Sequence, residues 1–151
     1  MKLLLAFIFI FSRPLFAGNT IEDKEAELLP FKTDYCTMFV DGNWGHCCLD
    51  HDLRYWIGGT VEEQNISDNK LRSCVLDAAG SFWANLIYHG VRLGHHSPVK
   101  SPYQWAWGWG EDHPEFNELS QEDKALAAEE IRRSELDEEV IERFIKEHDL
   151  E

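Results

Sequence analysis

Cys47-Cys48-Leu49-Asp50-His51-Asp52-Leu53-Arg54-Tyr55 is the stretch on which the fold of this 151-residue chain turns. Wound as a helix at about 100° per residue, it places Cys47, Tyr55, Cys48 and Asp52 at about −40°, +40°, +60° and +100° from His51. These five side chains share roughly 140° of one face. A face anchored by two cysteines and carrying imidazole, carboxylate and phenol is an unusual thing for a plain core to present. The helix is expected over residues 47–57, with Gly58-Gly59 as its C-terminal stop.

Residues 60–67 read as a polar connection. They carry the sequon Asn65-Ile66-Ser67, which matters only where exported proteins are glycosylated. A longer helix is expected from Asp68 towards His89 or Gly94, with Leu71, Cys74, Val75, Phe82, Leu86 and Val91 as its buried stripe. Asp77, Asn85 and Arg92 argue against reading it as a membrane span. Suppose it runs antiparallel to the first helix with Asp68 opposite His51. Cys47 then lies about 6 Å back along its axis, and Cys74 about 9 Å along in the same direction. That offset of about 3 Å is within reach of a disulfide. One register thus accommodates both a His51–Asp68 hydrogen bond and a Cys47–Cys74 bridge. Taken alone, Asp68 also reads as a helix N-cap.

The chain opens with Lys2 and a wholly apolar run over residues 3–11, broken by Ser12-Arg13-Pro14. Leu15-Phe16-Ala17 then puts a small residue at a cleavage point. The run is less than half the roughly twenty residues that span a bilayer, so residues 1–17 read as a signal peptide, with an uncleaved anchor as the alternative. The protein is accordingly expected to be secreted or periplasmic. In such a compartment the even set Cys36, Cys47, Cys48 and Cys74 suggests two disulfides. Adjacent cysteines rarely bridge each other, so two pairings remain open.

The formal charge of −14 becomes −16 once Lys2 and Arg13 are removed with the leader. Residues 111–151 hold sixteen acids against five bases, a net −11, which leaves −5 for residues 18–110. So acidic a surface repels nucleic acid and is poorly drawn to anionic membranes. The chain is therefore divided into a leader (1–17), a core (18–110) and an acidic helical tail (111–151).

Residues 18–30 read as a mobile, polar lead-in, and Asp41-Gly42-Asn43 as a turn. A loop is expected over residues 94–102, with His95-His96 as a solvated pair. Residues 103–109 bring aromatics to every second position, as in a strand or extended segment. Trp105, Trp107 and Trp109 there either face a lipid interface or complete a small core. Ser120-Gln121-Glu122-Asp123 and Ser134-Glu135-Leu136-Asp137 are capping-type starts. With Leu126, Ile131, Leu136, Val140, Ile141, Phe144 and Ile145 they mark two amphipathic helices. These helices either pack on the core or form an arm for a protein partner of unspecified kind.

The run from Cys47 to Tyr55 resembles the C-C-x-x-H-D-x-x-Y signature of the secreted phospholipases A2. Asp68 with Cys74 is similar to that family's second-helix aspartate and the cysteine bonded to the first of its doublet. The likeness covers residues 36–74. It implies an all-α fold built on a disulfide-linked antiparallel helix pair of phospholipase A2 type, to which the acidic helical tail is added. The disulfides it implies are Cys47–Cys74 and, with it, Cys36–Cys48. His51 would be general base on a water molecule, with Asp68 fixing its tautomer and Tyr55 hydrogen-bonding Asp68. Asp52 would be a side-chain ligand for Ca2+, and the sn-2 ester of a phospholipid the substrate.

In two respects the chain departs from the family: the further disulfides common there are absent, and the calcium loop differs. The stretch from Cys36 to Cys47 is shorter than the family's calcium loop, and Phe39-Val40-Asp41-Gly42-Asn43-Trp44-Gly45 offers only two glycines. Two other readings stand beside the enzyme. In one, the same fold is a catalytically inactive scaffold that binds a lipid or a protein. In the other, His46, Cys47, Cys48 and His51 ligate zinc, although adjacent cysteines fit poorly around one tetrahedral ion.

Overall fold

The computed structural model of the chain describes residues 27–36, 42–95, 103–110 and 113–150. The leader reading for residues 1–17 lies outside them, as do residues 37–41 of the loop before the cysteine doublet and His96. Among the described residues there are five helices and no strand. None of the helices is long and apolar enough to cross a membrane.

The first helix, α1, runs Gly45–Ile57. It starts two residues ahead of the cysteine doublet because Trp44 is buried and stacked on Trp83 at 5.3 Å, which fixes the turn before it. It ends at Gly58, whose φ of 70° is a left-handed conformation disfavoured for a residue with a Cβ. A Cβ at Gly58 would also meet the Ala106 Cβ at 2.5 Å.

The second helix, α2, spans Val61–Ala79 and corrects the reading of residues 60–67 as a connection. Thr60 is its N-cap. The Thr60 hydroxyl accepts from the Glu63 N–H at 3.2 Å, and the Glu63 carboxylate accepts from the Thr60 N–H at 2.7 Å. This reciprocal capping box satisfies donors that a helix start leaves unpaired. Asp68 is consequently a mid-helix residue and not an N-cap.

The long second helix expected from the sequence is in fact two. Gly80 has φ 85° and breaks the chain between α2 and α3, which spans Ser81–His95. The α1 and α2 axes are antiparallel: Cys47 meets Cys74, and further along α1 both His51 and Tyr55 meet Asp68. Helix α3 returns antiparallel to α2, with Arg72 bonded to Asn85 and Arg92 to Asn65.

Residues 103–109 form turns rather than a strand, with one isolated bridge between Leu28 and Trp109. The indoles explain why. Trp105 donates to the Gly59 carbonyl at 2.9 Å, and Trp109 to the Ile57 carbonyl at 2.7 Å. Trp56 donates to the Leu29 carbonyl at 2.8 Å. Trp109 thus satisfies a carbonyl that the end of α1 leaves without an intrahelical partner, and Trp105 one in the turn just after it. Trp105 and Trp109 are therefore buried, Trp107 is half-buried, and the lipid-facing reading of this run is not what the fold uses. The same contacts tie down Leu28, which was read as part of a mobile lead-in.

In the tail, α4 spans Gln121–Arg132 and α5 spans Glu138–Glu147. Ser120 and Asp123 form the capping box of α4. Ser134 does not start α5, since its hydroxyl donates to the Ile131 carbonyl at 2.7 Å and Asp137 is the N-cap. Ala127, Ala128, Ile131, Ile141, Phe144, Ile145 and Leu150 share one buried cluster with Leu53, Trp56 and Trp105. A second cluster surrounds the disulfides, with Trp44, Leu71, Val75, Ala84 and Ile87.

Candidate active site

Two disulfides hold the site's scaffold. Cys47 is bonded to Cys74 with Cα atoms 5.7 Å apart, and Cys36 to Cys48 with Cα atoms 5.2 Å apart. Among the described residues no cysteine is free. The first bridge sets the register of α1 against α2, and one turn along α1 from it lies His51.

His51 is buried, and its Nε2 lies 3.0 Å from Oδ1 of Asp68. The Tyr55 hydroxyl donates to the same oxygen at 2.7 Å. Asp68 is fully buried, so its charge needs compensation from within the fold. Arg92 supplies part of it, with Nη1 3.1 Å from Oδ2 of Asp68. The same nitrogen donates to Asn65 Oδ1 at 2.6 Å. Arg92 and Asn65 were not singled out from the sequence as site residues. In the sequence Arg92 is only a charge unsuited to a membrane span, and no spacing rule links it to Asp68.

The electrostatics assign the protons. Burial pushes the Asp68 carboxyl up, but the hydrogen bonds from His51, Tyr55 and Arg92, with the charge of His51, bring it below its ordinary value. Asp68 is thus a carboxylate that only accepts, and the hydrogen it shares with His51 sits on Nε2. In the neutral imidazole, Nδ1 is then the nitrogen with a free lone pair. Burial, then the charge and hydrogen bond of Asp68, push the Tyr55 phenol above its usual range and keep it a donor.

Asp52 makes a different contact. The Thr33 hydroxyl donates to its Oδ2 at 2.6 Å. Burial raises its carboxyl to about 7, opposed by the Thr33 bond and assisted by the charge of Asp34. A carboxylate is a hard oxygen donor, which Asp52 would offer to a divalent cation.

A softer donor set lies nearby, with His46 Nε2 at 3.5 Å from both Cys47 Sγ and Cys74 Sγ. These sulfurs are bonded to each other and have no thiolate charge to give a metal. The zinc reading fails on the same ground, because Cys47 and Cys48 sit in separate disulfides and offer no thiolate. A cavity of about 370 Å3 lies elsewhere, between α1 and the tail, lined by Arg54, Ile57, Trp105, Lys124 and His148 among others. His51, Asp52 and Asp68 do not line it.

Compared with protein-family models, with curated proteins and with solved structures, the chain matches none. What defines the site is its geometry: a buried histidine–aspartate–tyrosine network on a disulfide-linked pair of antiparallel helices.

Proposed function

We propose that the chain is an exported, calcium-dependent esterase of the phospholipase A2 kind, which hydrolyses the sn-2 ester of phospholipids. The observation that carries this reading is the 3.0 Å contact of His51 Nε2 with Asp68, which leaves Nδ1 as the base. His51 Nδ1 removes a proton from water as the water oxygen attacks the ester carbonyl carbon. Asp68 and Tyr55 hold the ring in place, and Asp68 offsets the charge of the imidazolium that forms. When the ester C–O bond breaks, the imidazolium returns its proton to the departing alkoxide.

Asp52 fits a hard divalent cation. Among the described residues, burial, the neutral Thr33 hydroxyl and the acid Asp34 act on its carboxyl. Such a site favours a bound positive charge. Calcium, when bound there, supplies electrostatic stabilisation to the oxygen on which negative charge develops. Two disulfides suit an oxidising compartment and support the reading of an exported chain.

One observation favours the second reading, a silent scaffold of the same architecture that binds a lipid or a protein. The Thr33 hydroxyl already occupies Oδ2 of Asp52. Fatty-acid release from mixed phospholipid micelles at saturating calcium separates the two. Wild type is expected to release fatty acid, and His51→Gln to lower the rate by about a hundredfold or more. Absence of release by the wild-type chain would leave only the scaffold.

A further inference from the structure

Helix α3 meets α2 through Asn85 and Arg92 and turns another face outward. Counted from Arg92 at about 100° per residue, Phe82, Leu86, His89 and Leu93 fall at about 80°, 120°, 60° and 100°. They form one stripe along the whole helix. All four are exposed, and Phe82 and Leu93 to an unusual degree, at 70% and 73%. Single exposed apolar residues are ordinary on a soluble protein, but a continuous row of them is not.

The charge beside the stripe is equally distinctive. The chain carries 28 acids, yet Ser81–His95 contains none. Two arginines border the stripe on the side facing α2. Arg92 is half-buried on Asp68. Arg72 is exposed and held by neutral partners: its Nη2 donates to Asn85 Oδ1 at 2.8 Å, and its guanidinium lies 5.3 Å from the Tyr88 ring centroid. Its positive charge stands next to an apolar row on a chain whose formal net charge is −14.

We infer that this face of α3 is the surface by which the protein docks on a phospholipid layer, with Phe82, Leu86 and Leu93 entering the acyl boundary and Arg72 meeting headgroup phosphate. An apolar row bordered by cationic side chains matches the layered chemistry of such a surface. The absence of carboxylates on α3 removes the repulsion that the rest of the chain would bring to phosphate. The choice of phospholipid over another apolar partner rests on the esterase reading. Because Arg92 belongs to the same helix, docking through α3 would also bring the His51–Asp68 network close to the lipid.

Co-sedimentation with sucrose-loaded vesicles of ether-linked phosphatidylcholine, which has no ester to cleave, reads docking apart from catalysis. The wild-type chain is expected to sediment with the vesicles. The double variant Phe82→Asp/Leu93→Asp should partition at least tenfold less, and Arg72→Gln severalfold less. Phe116→Ser, which removes an exposed aromatic in the tail, should sediment as wild type does. Should the Asp variant lose its helical circular dichroism, Phe82→Ser/Leu93→Ser takes its place.

Failure of the wild type to sediment, or equal sedimentation of a folded double variant, overturns the proposal. So does a wild-type dimer that ignores vesicles and becomes monomeric in the double variant, which would give the stripe to a second copy. A protein that sediments but releases no fatty acid refutes the esterase and keeps the docking face. One that cleaves a soluble ester without sedimenting does the reverse.

Discussion

Asp68 has no solvent exposure and accepts from His51, Tyr55 and Arg92. A buried carboxylate is costly when even one of its donors is removed. Arg92→Met is therefore expected to destabilise the fold by about 2–3 kcal/mol. It should also change the response to acid. The folded Asp68 carboxyl lies below its ordinary value of 3.8, so its contribution to stability is present above that value and is lost as pH falls through the folded one. Without Arg92 the folded value rises towards 3.8, so the contribution is smaller and is lost over a narrower span of pH below that value. Urea melts across the acid range read both effects, and an unchanged acid profile would mean that Arg92 does not act on Asp68. His51, Asp68 and Tyr55 were legible in the sequence because they sit at helical spacings tied to cysteines. Arg92 was not, because it arrives from a third helix whose position follows from the break at Gly80.

Helix boundaries show where local chemistry outweighed the hydrophobic pattern. The apolar stripe pointed to a second helix starting at Asp68. It begins instead at Val61, where few residues are apolar, because Thr60 and Glu63 cap each other. That Thr-x-x-Glu spacing was in the sequence, but it lay in a polar stretch read as a connection. The extra turns bring Asn65 onto the helix that carries Asp68, where it accepts from Arg92. Thr60→Ala is thus expected to cost about 1 kcal/mol, measured as a lower denaturation midpoint at unchanged m-value. Hydrogen exchange should show the loss as faster opening of the first turn of α2. If the Glu63 and Gln64 amides keep their protection, the box does not hold the helix start. The aromatics of residues 103–109 misled for a related reason. Their alternation resembles a strand, yet the indole N–H groups of Trp105 and Trp109 are used as caps for carbonyls at the end of α1 and just after it.

On the scale of the whole molecule, the acidic tail forms part of the core. Residues from α4 and α5 bury against Leu53 and Trp56 of α1, and Asn117 N–H donates to the Gly59 carbonyl at 3.2 Å. The amphipathic pattern made both helices legible from sequence, but nothing in that pattern says what the apolar stripes cover. A polar joint accompanies the packing, with Arg54 Nη2 3.0 Å from Glu147 Oε2 and His148 beside it. Burial first, then the charges of Arg54 and Lys70, lower His148 from 6.5 to about 3. The unfolded chain takes up a proton as pH falls through 6.5, whereas the folded chain takes it up only near 3. The joint therefore loses stability across that window, by up to about 1.4 kcal/mol per pH unit. His148→Asn should flatten the profile between those values. Ending the chain after Gly110 removes seven buried side chains of the main cluster, of which the five larger ones are worth roughly 1.5–3 kcal/mol each, together comparable with the 5–15 kcal/mol that holds a typical domain. Such a chain is expected to keep helical far-ultraviolet circular dichroism, lose the near-ultraviolet signal of its packed tryptophans and melt without a cooperative transition. A sharp melt with native near-ultraviolet signal would show instead that residues 18–110 stand alone, with the tail as a separate appendage.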